Sequence, residues 1–197
     1  MDMVMNTAEK TSRKVKLDDY HIRIPLYSYL ENNNDRLRIF PELRFNNSRA
    51  DLLVVTDSVL TGYEIKSDLD SFARIKTQIA DYDCFCDYCY VVTGYKHKQR
   101  VLEHVPYYWG VLVIFKVRDR YGIELLRLPS KSPKAIITNK IKLLWRRELV
   151  NISFRNGLSK CSGKSRYFII DKLIKNVDEN KLLHEISHEL FERDYNV

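Results

Sequence analysis

The sequence predicts a mixed α/β domain with a helical extension at the C-terminus. Three observations favour this class. Apolar runs typical of strands surround a segment of helical spacing, "WGVLVIFKV" and "IELLRLP" have the form of a late hairpin, and the chain after Pro133 has a helical pattern. A length of 197 residues suits one domain, which we divide into a core, residues 1–135, and an extension, residues 136–197, packed on it.

The first half of the core is predicted to alternate helix and strand. We expect a helix from about Ile22 to Glu31, with Pro25 near its start, and then a short extended piece in "RIFPELRF". The run "ADLLVVT" predicts a strand buried on both faces, and "YEIKSD" predicts its hairpin partner. A helix should follow over "DLDSFARIKTQIADYDCF", with Asp68 or Asp70 capping its N-terminus.

The second half completes the sheet and adds the extension. The run "DYCYVVTG" predicts a strand, and "HKQRVLEHV" predicts a short helix before the late hairpin. Beyond the hairpin the helical pattern is interrupted near "GLSKCSGKSR". We therefore expect helices in two groups after the sheet.

The charge balance favours a polyanionic partner. The net charge is +7, which is typical of proteins that bind DNA or RNA, although many basic proteins bind neither. The basic segments of the extension offer Lys142, Arg146 and Arg147 as contacts to phosphates, with an ordinary solvated helix face as the alternative. No run reaches the roughly 18 apolar residues of a membrane helix, and no secretory signal is visible, so we expect a cytoplasmic protein without a membrane partner.

The candidate chemistry centres on two neighbouring strands. Asp51 opens the first strand, and strand alternation places Glu64 and Lys66 on one face of the second. Two carboxylates brought together repel each other, and a hard divalent cation such as Mg²⁺ removes that penalty. The backbone carbonyl of Ile65 is a further candidate ligand. Lys66 can then orient or deprotonate an attacking water, or stabilise negative charge on phosphorus.

The following helix supplies assisting groups. Gln78 and Tyr82 are four residues apart and share a helix face. Gln78 can hydrogen-bond the nucleophilic water or a phosphate, and Tyr82 can reach a phosphate or stack on a base. The alternative is a solvated helix position for Gln78 and a core aromatic side chain for Tyr82. Arg74 precedes Gln78 by four residues and extends this face toward a nucleic-acid backbone.

These residues carry a family resemblance. The letters "RAD", "EIK" and "QIADY" together resemble the PD-(D/E)XK nuclease superfamily, and the Gln-x3-Tyr element is similar to that of its RecB-like branch. The span from Glu42 to Ile114 also resembles small bacterial and phage proteins assigned to this superfamily. One departure is that Ala50 stands where the motif has proline.

The resemblance implies a restriction-endonuclease-like core, in which helices flank a central mixed β-sheet. It also implies Mg²⁺-dependent cleavage of phosphodiester bonds in DNA, with Mn²⁺ able to substitute and RNA left open as substrate. It implies Asp51, Glu64 and Lys66 as metal-binding and catalytic residues, assisted by Gln78 and Tyr82. Many such nucleases pair up to cut both strands, so a homodimer is a further expectation.

An additional acid upstream is common in the superfamily. Glu42 is the first candidate for this metal ligand and catalytic residue, and Glu31 is the second. Arg49, next to the motif, joins Arg74 as a candidate contact to nucleic acid.

Other interpretations compete with the nuclease. An exposed cross-strand charge pair explains Glu64 and Lys66 without any chemistry, and a catalytically silent module that binds nucleic acid or protein can keep the same fold. The motif "HEISH" matches a zinc-protease signature, but only nine residues follow it. The segment "CFCDYC" with Cys161 offers four thiols for a metal, against buried free thiols. In "VPYYWG", aromatic rings can stack on bases, or Trp109 can anchor a turn in the core.

Overall fold

The structure is a computed structural model that describes residues 15–45, 48–158, 161 and 163–195. Within these ranges one six-stranded sheet has its strands in sequence order. The strands are β1 (Arg38–Phe45), β2 (Ser48–Thr56), β3 (Val59–Lys66), β4 (Tyr88–Gly94), β5 (Gly110–Val117) and β6 (Arg120–Arg127). The helices are α1 (Asp19–Asn32), α2 (Ile75–Phe85), α3 (Val101–His104), α4 (Ile137–Lys140), α5 (Arg146–Arg155), α6 (Arg166–Asn176) and α7 (Glu179–Phe191).

The sheet is mixed, as the sequence predicts. The strands β1, β2 and β3 form an antiparallel meander, β4 and β5 continue parallel to β3, and β6 returns antiparallel. Parallel neighbours need crossover connections, and α2 and the segment containing α3 provide them. The predicted α/β class with C-terminal helices is confirmed. None of the described helices has both the length and the apolar character needed to cross a bilayer.

Two hydrophobic cores cover the two faces of the sheet. On one face, Ile22 and Leu26 of α1 pack with Leu52 and Ile65 of the sheet. Because alternate strand residues point to opposite faces, Leu53 belongs to the other core, together with α2 and the C-terminal helices. This pattern explains why the β2 sequence is an unbroken apolar run.

The C-terminal helices share the second core with the sheet. Leu149 of α5, Leu173 of α6 and Ile186 of α7 are fully buried there. The buried ion pair between Arg193 and Glu148, at 2.7 Å, fastens the end of α7 to the start of α5. The extension therefore packs on the core through shared apolar side chains.

The first helix begins earlier than predicted. Asp18 caps it by accepting a hydrogen bond from the backbone N–H of His21 at 3.0 Å, so α1 starts at Asp19. The prediction that Pro25 lies near the helix start is wrong, because Pro25 is in the helix interior, where it is buried.

The second helix begins later than predicted. It starts at Ile75, and neither Asp68 nor Asp70 caps it. Asp68 instead accepts the backbone N–H of Leu17 at 2.8 Å, and Asp70 accepts the backbone N–H of Ser67 at 2.8 Å. Both acids thus fix the loop between β3 and α2, a tertiary role that local capping patterns do not reveal.

Candidate active site

The candidate site forms where β2 and β3 stop pairing. Leu52 and Tyr63 are the last paired residues at this end, so the next residues in register, Asp51 and Glu64, face each other. Here the Tyr82 hydroxyl accepts a hydrogen bond from the Asp51 N–H at 2.9 Å and donates one to the Tyr63 carbonyl at 3.1 Å. The tyrosine of α2 therefore joins the two strands next to the acidic pair.

Asp51 lies inside β2, and the expectation that it opens the strand is wrong. The strand begins at Ser48 because the residues before Asp51 pair with β1, as Ala50 does with Leu43. The apolar run of β2 starts only where the strand enters the core. A prediction from this run therefore places the first residue of the strand too late in the chain.

Glu64 and Lys66 lie on the face of β3 that meets α2. The Lys66 ammonium donates to Glu64 Oε1 at 2.6 Å and to Gln78 Oε1 at 2.9 Å. The exposed fraction is 1% for Glu64 and 6% for Lys66, so the interpretation as an exposed charge pair does not describe them. The predicted grouping of Glu64, Lys66 and Gln78 is present in the structure.

The carboxylate of Asp51 belongs to the same group. Its Oδ2 accepts a hydrogen bond from the backbone N–H of Ile65 at 2.7 Å. Burial and the neighbouring charge of Glu64 raise the pKa of Asp51 to about 7, against the lowering effects of the Ile65 N–H, Arg23 and Lys66. The two acids are thus close enough for each to oppose the ionisation of the other.

Glu64 carries an unsatisfied oxygen. Burial raises its pKa, and the charge of Lys66 works in the opposite direction. Oε1 is held by Lys66, whereas the buried Oε2 has no hydrogen-bond partner within the described chain. A buried polar atom without a partner is costly, so this oxygen is an available acceptor for a bound cation or water.

The donor set fits a hard divalent cation. Asp51 and Glu64 supply carboxylate oxygens, and the Ile65 carbonyl points to the same side of β3 as the Ile65 N–H that binds Asp51. Mg²⁺ is commonly held by one or two carboxylates together with waters and substrate phosphate oxygens. No cluster of three or more His, Cys, Asp or Glu side chains suited to a metal exists among the residues that the structure describes.

Glu42 does not complete such a cluster. Its carboxylate is bound by Arg23 at 2.8 Å and by Arg49 at 2.6 Å. Its backbone has a φ of 57°, a left-handed conformation that interrupts the pairing of β1 with β2. The alternative acid, Glu31, lies eight residues beyond Arg23 on α1, about 12 Å along the helix axis. The predicted role of Glu42 as metal ligand is therefore not supported by its contacts.

Arg23 is the site residue that sequence reasoning missed. Its guanidinium donates to the Asp51 carbonyl at 3.0 Å, and it lies 3.7 Å from Asp51 Oδ1. It is also paired with Asp19, one helical turn earlier, at 2.5 Å. The spacing of Asp19 and Arg23 predicts only a local helix pair, so no sequence signal connected Arg23 with Asp51.

Tyr82 occupies a different environment from the one predicted, whereas Arg74 does not. Tyr82 is fully buried, so the prediction that it reaches a phosphate or stacks on a base is wrong. Its position is set by the packing of α2 on the sheet. Arg74 is exposed at the N-terminal end of α2, where its charge contributes to lowering the pKa of Glu64, and it remains available to a ligand.

The basic residues of the extension are not brought to this site. Arg147 donates to the Asp194 carbonyl, and Arg146 donates to the carbonyls of Cys161 and Lys164. Lys142 is exposed and donates to Asn139 at 2.8 Å. These contacts fasten the extension to itself.

The position of the extension also keeps these basic residues away from the candidate site. Arg38 of β1 binds the carbonyls of Phe191 and Arg193 at the end of α7, and Arg38 pairs with Val55, four residues along β2 from Asp51. The extension therefore covers the other end of β2, on the order of 13 Å away. The prediction that Lys142, Arg146 and Arg147 serve the same nucleic-acid surface gains no support.

The zinc-protease motif has other contacts. Glu185, the residue that would act as base, is bound by Arg155, whose Nε lies at 2.7 Å. His184 pairs with Asp57 at 2.9 Å. The motif residues thus fasten α7 to α5 and to the β2–β3 turn.

The cysteines and Trp109 of the aromatic turn also pack inside the protein. Cys86 and Cys89 are buried in the core, and the Cys161 thiol contacts the Ser153 hydroxyl at 3.1 Å. Trp109 is fully buried and donates to Asp83 at 2.8 Å, so it anchors the turn.

The chain matches a known protein family over nearly its whole length. A family model described as Bacteriophage P4 protein cII matches residues 12–196. Among solved structures, the SPO1766 protein of unknown function from Silicibacter pomeroyi is 19% identical, and the match covers 66% of this chain and 85% of that chain with a TM-score of 0.40. No curated protein matches significantly.

Proposed function

The chain belongs to the Bacteriophage P4 protein cII family, and we propose that it is a metal-dependent nuclease that hydrolyses phosphodiester bonds in DNA. The observation that carries the proposal is the group formed by the partly buried Asp51 of β2 and the buried Glu64 and Lys66 at the end of β3. It combines two facing carboxylates, an unpartnered Glu64 Oε2 and an ammonium 2.6 Å from Glu64 Oε1. The resemblance to PD-(D/E)XK nucleases supports the same assignment.

The metal-binding residues in this proposal are Asp51, Glu64 and the Ile65 carbonyl. When bound, Mg²⁺ or Mn²⁺ supplies positive charge that neutralises the two carboxylates and polarises a phosphate oxygen. Burial and the neighbouring charge of Glu64 raise the pKa of Asp51 to about 7, which supports a site where a bound cation offsets unfavourable negative charge. Glu42, held by Arg23 and Arg49, acts as a counter-ion that positions these arginines.

Lys66 is the proposed catalytic residue. An ammonium has three N–H donors, and Glu64 and Gln78 accept two of them. The third can orient an attacking water or donate to an oxygen of the phosphate as negative charge develops. Gln78 acts as a positioning residue, because its contact in the structure is with Lys66.

A catalytically silent module that binds nucleic acid or protein is the second candidate. The observation that favours it is the pairing of Glu42 with two arginines, which leaves only two carboxylates facing each other at the site. In this alternative Arg23, 3.7 Å from Asp51 Oδ1, provides the compensating charge permanently.

Cleavage assays distinguish the two candidates. Linear, circular and single-stranded DNA and RNA are incubated with wild type, Lys66→Ala and Glu64→Gln in Mg²⁺, Mn²⁺ or EDTA. We expect DNA cleavage that requires the metal and falls by roughly 100-fold or more in both variants. Lys175→Ala, at an exposed position on α6, is the matched lysine control and should cut like wild type.

Folding must be measured in parallel. Lys66→Ala leaves a buried Glu64 without its counter-ion, which destabilises a protein by about 3–5 kcal/mol. The double variant Glu64→Gln/Lys66→Met removes both charges together and controls for loss of activity through unfolding. Binding of DNA by folded wild type without cleavage in either metal would reject the nuclease and favour the silent module.

A further inference from the structure

A cleft lies between the segments that follow β3 and β4, at the end of the sheet where Lys66 lies. Its volume is about 580 Å³, within the range of sites that hold small ligands. One wall is the segment after β3, with Asp70 and Phe72, and the other is the segment after β4, with Lys96, His97, Arg100 and His104. Lys66 pairs with Thr93 in the sheet, so both walls start at the candidate active site.

The two walls are fixed to each other by hydrogen bonds. Asp68 accepts the backbone N–H of Lys96 at 2.9 Å, and the Lys96 ammonium donates to the Asp68 carbonyl at 2.7 Å. A ring nitrogen of His97 lies 3.0 Å from the Ser67 carbonyl. Gly94 permits this approach, because a Cβ there would lie 2.2 Å from Asp68 Oδ1. The cleft is therefore formed before any ligand arrives.

Aromatic rings line the cleft. Phe72 and His104 stack with ring centroids 4.4 Å apart and planes 21° apart. His97 meets Phe72 edge-on at 4.9 Å. Phe72 and His104 are only partly buried, so this cluster presents ring surface to a ligand.

The charge of the cleft suits an anion. Arg100 is 73% exposed, and its Nε lies 3.7 Å from the Glu103 carboxylate; Lys96 is exposed as well. The carboxylate that lines the cleft, Asp70, already accepts hydrogen bonds from Ser67, from the N–H at 2.8 Å and from the hydroxyl at 2.6 Å. A phosphate can therefore meet two cations in a cleft whose own lining carboxylate is already hydrogen-bonded.

We propose that this cleft holds an unpaired nucleotide of the DNA strand next to the phosphate that is cut, which extends the proposed nuclease function and rests on it. The base lies against the rings of Phe72 and His104, and its phosphate contacts Arg100 and Lys96. Bases in a duplex hide their faces in the stack, whereas aromatic platforms bind exposed base faces. The substrate class is thus single-stranded DNA or an unpaired end or flap.

Binding without cleavage tests the proposal. The affinity of full-length protein for a fluorescent oligothymidylate and for a blunt duplex is measured by anisotropy in EDTA. We expect tighter binding of the single strand and a loss of about 10-fold in Phe72→Leu, which keeps an apolar side chain and removes the ring. Arg100→Ala should weaken binding and lower the salt slope by about 0.7. Arg36→Ala, 70% exposed at the other end of the sheet, is the matched control.

The outcomes separate this inference from the proposed function. Wild-type affinity in both cleft variants, or equal affinity of wild type for single strand and duplex, overturns the cleft assignment even if the protein cuts DNA. Weaker binding in both variants, with Arg36→Ala unchanged, supports the cleft. It does so even if no metal produces cleavage, in which case the nuclease proposal alone fails.

Discussion

At the scale of single residues, the site contains buried charged groups, and their partners offset the free-energy cost of burying them. Glu64 is almost fully buried, and one oxygen of its carboxylate is satisfied by Lys66. The other oxygen and the Asp51 carboxylate face the end of the β2–β3 ladder. Burial and mutual repulsion of the carboxylates oppose their ionisation, so a bound cation should stabilise the fold as well as the chemistry.

Asp51→Asn should change how stability depends on pH. The pKa of Asp51 is raised from 3.8 to about 7 in the folded protein, so ionisation weakens the fold as pH rises through this window. In EDTA, we expect Asp51→Asn to match wild type near pH 4 and to exceed its free energy of unfolding by on the order of 1–4 kcal/mol near pH 8. Urea denaturation at several pH values measures this difference.

The control for Asp51→Asn is Asp57→Asn, at an exposed position just after β2. Mg²⁺ should raise the melting temperature of wild type near pH 8 and leave Asp51→Asn unchanged. An equal shift in both proteins contradicts a metal-binding role for Asp51, and equal stability of both across the pH range contradicts its raised pKa.

Tyr82→Phe should destabilise the protein although it creates no cavity in the core. The hydroxyl joins the Asp51 N–H to the Tyr63 carbonyl, and removing it leaves both backbone groups without this partner. We expect a loss of about 1–3 kcal/mol in the free energy of unfolding, measured in urea. Tyr88→Phe, at a half-buried position in β4, is the matched control. An unchanged stability together with weaker DNA binding would instead revive the predicted contact to nucleic acid.

At the scale of elements, the approach of α2 to β3 decides where Gln78 and Tyr82 lie. Gly62 of β3 lies under the ring of Tyr82, and a Cβ there would be 2.5 Å from Tyr82 Cδ1 and 2.8 Å from Cys86 Sγ. The missing side chain thus lets the helix come close enough for Gln78 to contact Lys66.

Gly62→Ala should push α2 away from the sheet. We expect a loss of about 1–3 kcal/mol in the free energy of unfolding, because a buried methyl group has no space. Cleavage should fall as well, since the Lys66–Gln78 contact lengthens. Thr77→Ala, at an exposed position of α2, should leave both properties unchanged. Full stability and activity of Gly62→Ala would show that α2 can shift without loss of either property.

At the scale of the whole molecule, the candidate site lies at one end of the sheet and the extension packs against the other. The carboxyl ends of β3 and β4 open into the candidate site and the basic cleft. The other end of β2 and β3 contacts α7, where Ser58 donates its N–H to the Ser187 hydroxyl at 3.0 Å. The extension can therefore stabilise the sheet without covering the site.

Residues 1–135 alone should not fold cooperatively. Leu149, Leu173, Ile186 and Leu190 of the extension are fully buried in the same core as Leu53 of β2. Their removal exposes a large apolar surface, which favours aggregation. Circular dichroism and size-exclusion chromatography of the truncated chain measure this. A cooperative thermal transition and a monomeric elution volume would show that the core is independent of the extension.

The local pattern of residues determined much of this protein. An unbroken apolar run predicted β2, alternation in "YEIK" placed Glu64 and Lys66 on one face of β3, and helical spacing predicted α2 with Gln78 and Tyr82 on a shared face. These predictions succeeded because neighbouring residues determine the period of a strand or helix and which of its side chains face the core.

Only the tertiary structure decided what each charged group meets. It paired Glu42 with Arg23 and Arg49, buried Tyr82 between strands, assigned Asp68 to a loop and sent the basic residues of the extension to the far end of the sheet. Charges and hydrogen bonds act through space over a few ångströms, between segments that lie far apart in the chain. Sequence spacing carries no measure of that distance, so the partners of these groups became visible only in the folded protein.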